Sequence, residues 1–296
     1  MQLIAYIIIF PILWLISILP FKVLYGLSDV IHFFMYRIFG YRKSVVKSNL
    51  RLVFPEKSEK EISKIMSEFY SHLCDLILEA IKSLTIKESE IKKRFVYKNI
   101  EEIKALESQN RSVLLMCSHY ANWEWSVVIQ CHIKHKGYAI YKRLSNKHFD
   151  GLVKRMRARY NAYLITTKET IATLTQLKAN GELFVAGFAA DQSPKLKKAH
   201  YWRKFMGIEV PVITGPEMIA KKLDVPVIFF RIDKIKRGYY EATIEPVIMN
   251  PKGYDENEIT DMYIEYIEKQ IYEKPEFYLW THKRWKYSNQ VPENLK

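Results

Sequence analysis

The chain has 296 residues, 49% of them hydrophobic, which suits one large α/β domain or two small ones and excludes a disordered chain. Its formal net charge of +14 at pH 7 favours acidic partners: anionic lipid, an acidic carrier protein or nucleic acid. Its three cysteines, Cys74, Cys117 and Cys131, show neither C-x-x-C pairing nor zinc-ligand spacing, and read as free thiols of a reducing compartment such as the cytoplasm.

The first element is Leu3 to Leu19, a run without a charge. Its length lies near the lower limit for a membrane-spanning helix, which needs about 20 residues. No Lys or Arg precedes it and no A-x-A site follows it, so residues 1–21 read as a retained anchor rather than a cleaved signal. Pro11 is placed to kink it. Lys22, Arg37, Arg42, Lys43 and Lys47 all follow the run, which predicts a cytoplasmic domain over residues 22–296. The second apolar stretch, Val23 to Phe39, carries Asp29, His32 and Arg37. It reads as an interfacial helix over 22–40, with a buried core helix as the alternative.

Ser58 and Glu61 have the spacing of a capping box. Behind them Ile62, Met66, Phe69, Leu73, Ile77, Ile81 and Leu84 recur at helical spacing, predicting one long amphipathic helix with a basic tail at Lys92, Lys93 and Arg94. Further on, strands are predicted at 113–117, 137–141, 164–166 and 183–190. Helices are predicted from Trp123 to His132, around Phe149 to Tyr160, from Glu169 to Ala179 and from Gly215 to Leu223. Residues 226–232 and 239–247 read as neighbouring strands turning at Arg237-Gly238, and a last helix runs from Glu256 to Tyr272. This alternation predicts an α/β fold: a mostly parallel mixed sheet with helices on both faces, behind an N-terminal membrane-anchoring helix.

Chemistry concentrates in Ser118-His119-Tyr120-Ala121-Asn122-Trp123-Glu124, which follows a buried strand and opens a helix. Reactive groups gather at the carboxyl ends of strands in such sheets. A histidine is a natural general base near neutral pH, and a carboxylate on one ring nitrogen leaves the other to accept a proton. On an ideal helix residues five apart are separated by about 140°, so His119 and Glu124 meet only if His119 lies in the turn before the helix. Cys117 ends an apolar run and reads as a packed strand residue, not a nucleophile. His132 and His135 form H-x-x-H without further ligands and read as ordinary helix residues.

The segment resembles the His-x4-Asp/Glu motif of glycerolipid-type acyltransferases, the lysophospholipid acyltransferase-like superfamily. The whole chain resembles the late acyltransferases of lipid A synthesis, the lauroyl/myristoyl transferases. RKSVVKSNLRLVFPEKS (42–58), HYANWEW (119–125), YKRLSNKHFDGLVKRMRARYN (141–161), AADQS (189–193), FMG (205–207) and PEFYLWTHKRWK (275–286) are similar to that family's blocks in order. Asn161 stands where a glycine is usual, and Met206 departs from a Phe-Phe-Gly. The resemblance implies a bacterial inner-membrane enzyme of lipopolysaccharide synthesis facing the cytoplasm. It implies an acyl-carrier-protein donor thioester, a lipid A precursor as acceptor, and neither cofactor nor metal. The residues leave other acceptors open: a lysophospholipid, an aminolipid or a pigment ester. A non-catalytic membrane-binding protein is a further alternative, against which an intact His119/Glu124 pair argues.

Within these blocks Arg159 is the candidate for the oxyanion or an acceptor phosphate, with Arg157 and Arg143 as neighbours, against the alternative of a solvated helix face. Asp191 and Gln192, at a strand end, either help set the site or form a turn. Trp280, His282, Lys283, Arg284, Trp285 and Lys286 mix aromatics with cations and suit a membrane interface. No nucleic-acid module is recognised, so nucleic acid is not expected as a partner.

Overall fold

A computed structural model describes residues 2–293. Met1, the first residue of the expected anchor, and residues 294–296, the last of the expected domain, lie outside the described residues. Helix α1 (Gln2–Ile18) is followed by α2 (Phe21–His32), which passes into a π-helical stretch, Phe33–Phe39, closed by Gly40 in the left-handed conformation. Helix α1 has 17 residues, about 25 Å at 1.5 Å each, short of the roughly 30 Å of a bilayer core. No helix among the described residues is long and apolar enough to cross a membrane, so the expectation of a transmembrane helix is not met. Instead α1 lies along the domain. The carbonyls of Ser17, in its last turn, and of Leu19, just beyond its end, accept hydrogen bonds from Lys82 Nζ, both at 2.7 Å. Near its start Tyr6 packs edge-on against Phe149, with ring centroids 5.3 Å apart. The outer face stays apolar and exposed at Ile4, Ile7, Ile8, Ile12 and Leu15, and the exposure continues through Phe33, Phe34, Ile38 and Phe39.

Helices α3 (Lys43–Val53) and α4 (Glu59–Lys82) follow. The capping box forms as expected: Ser58 N donates to Glu61 Oε2 at 2.9 Å, and Glu61 N donates back to Ser58 Oγ. Helix α4 does not reach the basic tail. It stops at Lys82, and Thr85 Oγ1 turns away to bond Ser17 O at 2.6 Å. The tail belongs to a separate α5 (Glu88–Arg94). Next come β1 (Phe95–Lys98) and α6 (Glu101–Ser108), two elements without a strong periodic signal.

The alternating part comprises β2 (Val113–Cys117), a 3-10 segment (Trp123–Cys131), β3 (Lys136–Tyr141), α7 (Lys147–Ala158), β4 (Ala162–Thr166), α8 (Thr170–Ala179) and β5 (Phe184–Ala189). Then come a hairpin of β6 (Trp202–Phe205) and β7 (Ile208–Pro211), α9 (Gly215–Leu223), β8 (Val227–Lys236), β9 (Tyr239–Ile248) and α10 (Glu258–Glu273). Seven strands form one sheet in the order β1-β9-β8-β2-β5-β3-β4. Every neighbouring pair is parallel except β8 and β9. This is the expected mixed, mostly parallel sheet flanked by helices. The hairpin turns on Met206 (φ 52°) and Gly207 (φ 79°), the two positive values that a tight two-residue connection requires. That conformation explains a glycine in the FMG block.

The last block closes the fold. Asn49 of α3 donates from Nδ2 to the carbonyls of Trp280 and His282, both at 2.9 Å. Trp280, Arg284 and Trp285 are buried. Arg284 donates to Pro211 O at 3.1 Å and lies over the Phe205 ring. The expectation that this cluster meets a membrane is therefore corrected: its aromatics and Arg284 are core, and only Lys283 and Lys286 are exposed. The same residue types serve an apolar interior and a membrane interface, because both bury a ring beside a polar tip.

Candidate active site

Strands β2 and β5 are parallel neighbours in a register that pairs Cys117 with Ala189. Two residues beyond each partner stand His119 and Asp191, so the ladder itself brings them together. His119 Nδ1 lies 2.7 Å from Asp191 Oδ1. Gln192 Nε2 lies 3.3 Å from His119 Nε2. A carboxylate only accepts, so the Nδ1 proton belongs to this bond, and Nε2 keeps its lone pair on the side of the Gln192 amide. The Asp191 side chain is 1% exposed and that of His119 21%, so the acid is sealed and the base is reachable.

The turn after His119 is held from several directions. Ala121 has φ 49°. Its N–H donates to Phe277 O at 3.0 Å, and its carbonyl is met by His72 Nε2 at 3.2 Å. Leu279 N donates to His119 O at 3.1 Å, so the chain after α10 lies alongside the turn as a short bridge between Tyr120 and Tyr278. Asn122 then caps the 3-10 segment, its Oδ1 accepting from Trp125 N at 3.0 Å. Trp123 stands edge-on to the His119 ring, 5.2 Å between centroids.

Glu124 does not hold the imidazole; that expectation is corrected. Its Oε1 accepts from Trp123 Nε1 at 3.1 Å, and its Oε2 from Arg157 Nη2 at 2.5 Å. The hydrogen-bonding carboxylate is Asp191, because parallel strand ends give it a direct approach whereas Glu124 lies around the turn. Glu124 acts on His119 through its charge. Burial alone depresses the imidazole pKa, but the Asp191 charge and hydrogen bond, with Glu124 adding to them, leave it above its ordinary value. Asp191 shows the reciprocal effect: burial disfavours its charge, and the contact with His119 holds its pKa below the usual carboxylate range.

Arg159 directs its guanidinium to the carbonyls of Ser83 and Leu84, at 3.0 and 2.7 Å, and to Ile86 O at 3.0 Å. It caps the C-terminal end of α4, where unpaired carbonyls attract a cation. Arg143 is exposed and sits 3.9 Å from Glu169. Neither is engaged with the His119 turn, and the cation that is proves to be Arg157 of α7. Cys117 is buried, and burial pushes its thiol up to about 12, which leaves it without thiolate at neutral pH. Among the described residues no cluster of three or more His, Cys, Asp or Glu side chains is arranged to hold a metal.

An imidazole braced by a buried carboxylate, at the carboxyl ends of two parallel strands, is the equipment of an α/β enzyme that activates a hydroxyl. A model of the family described as "Bacterial lipid A biosynthesis acyltransferase" matches residues 2–287, and the chain belongs to that family. It is similar to the lipid A biosynthesis palmitoleoyltransferase of Escherichia coli K12, 25% identical over 279 residues, covering 93% of this chain and 89% of that protein. It is likewise similar to the lipid A biosynthesis lauroyltransferase of the same organism, 26% identical over 278 residues with 93% and 89% covered. A lipid A biosynthesis acyltransferase of Shigella flexneri is 25% identical over 279 residues, with the same coverage. The protein is an acyltransferase, as the resemblance implied.

Proposed function

We propose that the protein transfers a fatty acyl chain from an acyl-carrier-protein thioester to a hydroxyl of a lipid A precursor, with His119 as general base. The single observation that carries the chemistry is the Asp191–His119 bond of 2.7 Å on a His119 side chain that is still 21% exposed. The acceptor hydroxyl takes the place of the Gln192 amide at Nε2 and gives its proton there. Its oxygen attacks the thioester carbonyl carbon, and the C–S bond breaks as the tetrahedral intermediate collapses. The imidazolium returns the proton to the departing thiolate. Asp191 supports the positive ring, and Arg157, steered by Glu124, is the cation placed for the developing oxyanion or for a phosphate of the acceptor.

The carrier donor fits the strongly basic chain, since carrier proteins are acidic and opposite charges speed encounter. The exposed apolar face of α1 and the π-helical stretch, with Lys22, Arg37, Arg42 and Lys43 nearby, supports attachment to the inner leaflet of a bacterial membrane without a span. The test is lipid mass spectrometry of cells with and without the protein, alongside His119→Ala. A lipid A species should lose one acyl chain when the protein is absent, and His119→Ala should fail to restore it. An unchanged lipid A profile with a change in another lipid class would refute the acceptor. Full restoration by His119→Ala would refute the base.

A further inference from the structure

Helix α4 buries several charged or titratable side chains that have no part in the proton transfer, among them His72, Asp75 and Glu79. Asp75 is matched by the Arg237 guanidinium, by Lys234 at 3.4 Å and by Ser28 Oγ at 2.7 Å. Among the described residues no cation is bonded to Glu79. Its Oε1 accepts from Tyr25 OH at 2.8 Å, and its Oε2 accepts from both Tyr240 OH and Asn122 Nδ2 at 2.7 Å. A fully buried carboxylate facing three neutral donors is an expensive arrangement, because leucine or methionine would pack the same space without desolvating a charge. What the carboxylate supplies is acceptor oxygens at fixed points, and one of those points is in the catalytic turn.

We infer that Glu79 is a positioning residue for acyl transfer, which fixes Asn122 and through it the turn between His119 and Glu124, while tying that turn to the apolar helix α2 through Tyr25. This rests on the assignment of His119 as the base. Asn122 has two jobs in opposite directions. Its oxygen caps the 3-10 segment at Trp125 N, 3.0 Å away, and its amide nitrogen is held by Glu79. The backbone of Glu79 contributes as well, since its carbonyl accepts from Trp125 Nε1 at 3.1 Å. One helical residue thus grips the start of the segment that carries Glu124 by both its main chain and its side chain.

The other flank is gripped by His72, seven positions earlier and so on the same face of α4. Burial, with the Lys234 charge adding to it, pushes the His72 imidazole down to about 3, so the ring is neutral. Lys234 Nζ stands 3.2 Å from its Nδ1 and can only donate there. That fixes the tautomer with the proton on Nε2, which faces the Ala121 carbonyl at 3.2 Å. Ala121 has the positive φ and Asn122 follows it, so the strained part of the turn is held between two side chains of one rigid helix. Burial also raises the Glu79 carboxyl to about 7, against the pull of the Tyr240 and Tyr25 hydrogen bonds. A neutral group of the same shape is therefore tolerated there.

The test uses the exchange of donor and acceptor across the Glu79–Asn122 contact, in the full chain with a carrier-protein thioester and lipid acceptor in detergent. Glu79→Gln should stay within about threefold of wild-type kcat, because the amide oxygen still accepts from Asn122 and Tyr240. Asn122→Asp is assayed at pH 9, because Glu79 can keep a proton near neutral pH and donate it across the contact. There it sets two carboxylates against each other and should lower kcat about 10- to 100-fold, as misplacement of a catalytic group does, with the donor KM unchanged. The loss should shrink as pH falls and one proton bridges the pair. Combining the two substitutions restores a donor opposite an acceptor and should recover most of kcat. The 15N shifts of the His119 ring should move in Asn122→Asp and return in the double variant. Wild-type kcat in Asn122→Asp at pH 9, or a double variant as slow there as Asn122→Asp while melting like wild type, would overturn the inference. His119→Ala is the control: if it retains activity, the base assignment has failed instead, and the 15N shifts still report whether Glu79 sets the turn.

Discussion

Asp191→Asn separates the two carboxylates that flank the base. In the native site Asp191 accepts the Nδ1 proton at 2.7 Å and Gln192 faces Nε2 at 3.3 Å. An asparagine presents either its oxygen, which keeps the bond without the charge, or its amide, which forces the imidazole proton to Nε2 and removes the lone pair that accepts the substrate proton. The charge-assisted bond is worth about 1.5–3 kcal/mol, or roughly 10- to 100-fold in rate at 1.36 kcal/mol per decade. Loss of the tautomer adds to this, and the corresponding change in a serine-protease triad lowers kcat about 10⁴-fold. The expected fall is about 10³- to 10⁴-fold. The pH profile gives an independent reading. The base works only as neutral imidazole, and its pKa is raised in the native site, so the acidic limb of the wild-type profile lies above the ordinary histidine value. With Asp191 neutralised the burial effect gains, and the limb moves to lower pH on a much lower plateau. The assay is initial-rate acyl transfer from pH 5 to 9, with 15N shifts of the imidazole to assign the tautomer. Near-wild-type rates in Asp191→Asn together with an inactive Glu124→Gln would refute the geometry and return the orienting role to Glu124.

Arg157→Ala should lower kcat at least about tenfold by removing the cation paired with Glu124, whereas Arg143→Ala should change activity little; steady-state kinetics of both distinguish them. Asn49→Ala removes two hydrogen bonds to the last block, one buried and one part-buried, and should destabilise the protein by about 2 kcal/mol, read as a lower midpoint in denaturant. Cys117→Ser should retain acyl transfer, and the native thiol should resist iodoacetamide at pH 8, because its pKa lies near 12. Replacing Ile7 and Ile8, both exposed on α1, with aspartate should lower binding to phosphatidylglycerol vesicles in flotation, while leaving the melting temperature nearly unchanged.

Local chemistry made part of the molecule legible from the residues. Ser58 and Glu61 mark the start of α4, the stretch from Gly215 to Leu223 reads as α9, and Arg237-Gly238 marks the turn between β8 and β9. The strand ahead of His119 was readable for the same reason: VLLMC has nowhere to go but the interior. Asp191 is readable as a residue that helps set the site but not as the partner of His119, because the register of β2 on β5 is a tertiary fact, and Glu124 is nearer in sequence. Arg157 and Arg159 illustrate another limit. Two residues apart near a helix end they point about 200° apart, and only the packing of α7 decides which one faces the site. The last block was misjudged because tryptophans and cations have the same composition in a core as at a membrane. The hairpin of β6 and β7 was too short for periodicity to register.

The pairing of β2 with β5 has a consequence for how such enzymes diverge. Between the two strands the chain makes an excursion through β3, α7, β4 and α8, and β3 and β4 sit on the open edge of the sheet beyond β5. The distance from base to acid depends on neither the length nor the shape of that excursion, only on the ladder between two adjacent strands. The excursion is therefore a replaceable lobe. Insertions, deletions or wholesale exchange within it would reshape what reaches the imidazole, and Arg157 with it, while the His119–Asp191 contact stays in place. Grafting 136–179 from a relative that uses a different acyl chain would ask whether chain-length preference travels with the lobe.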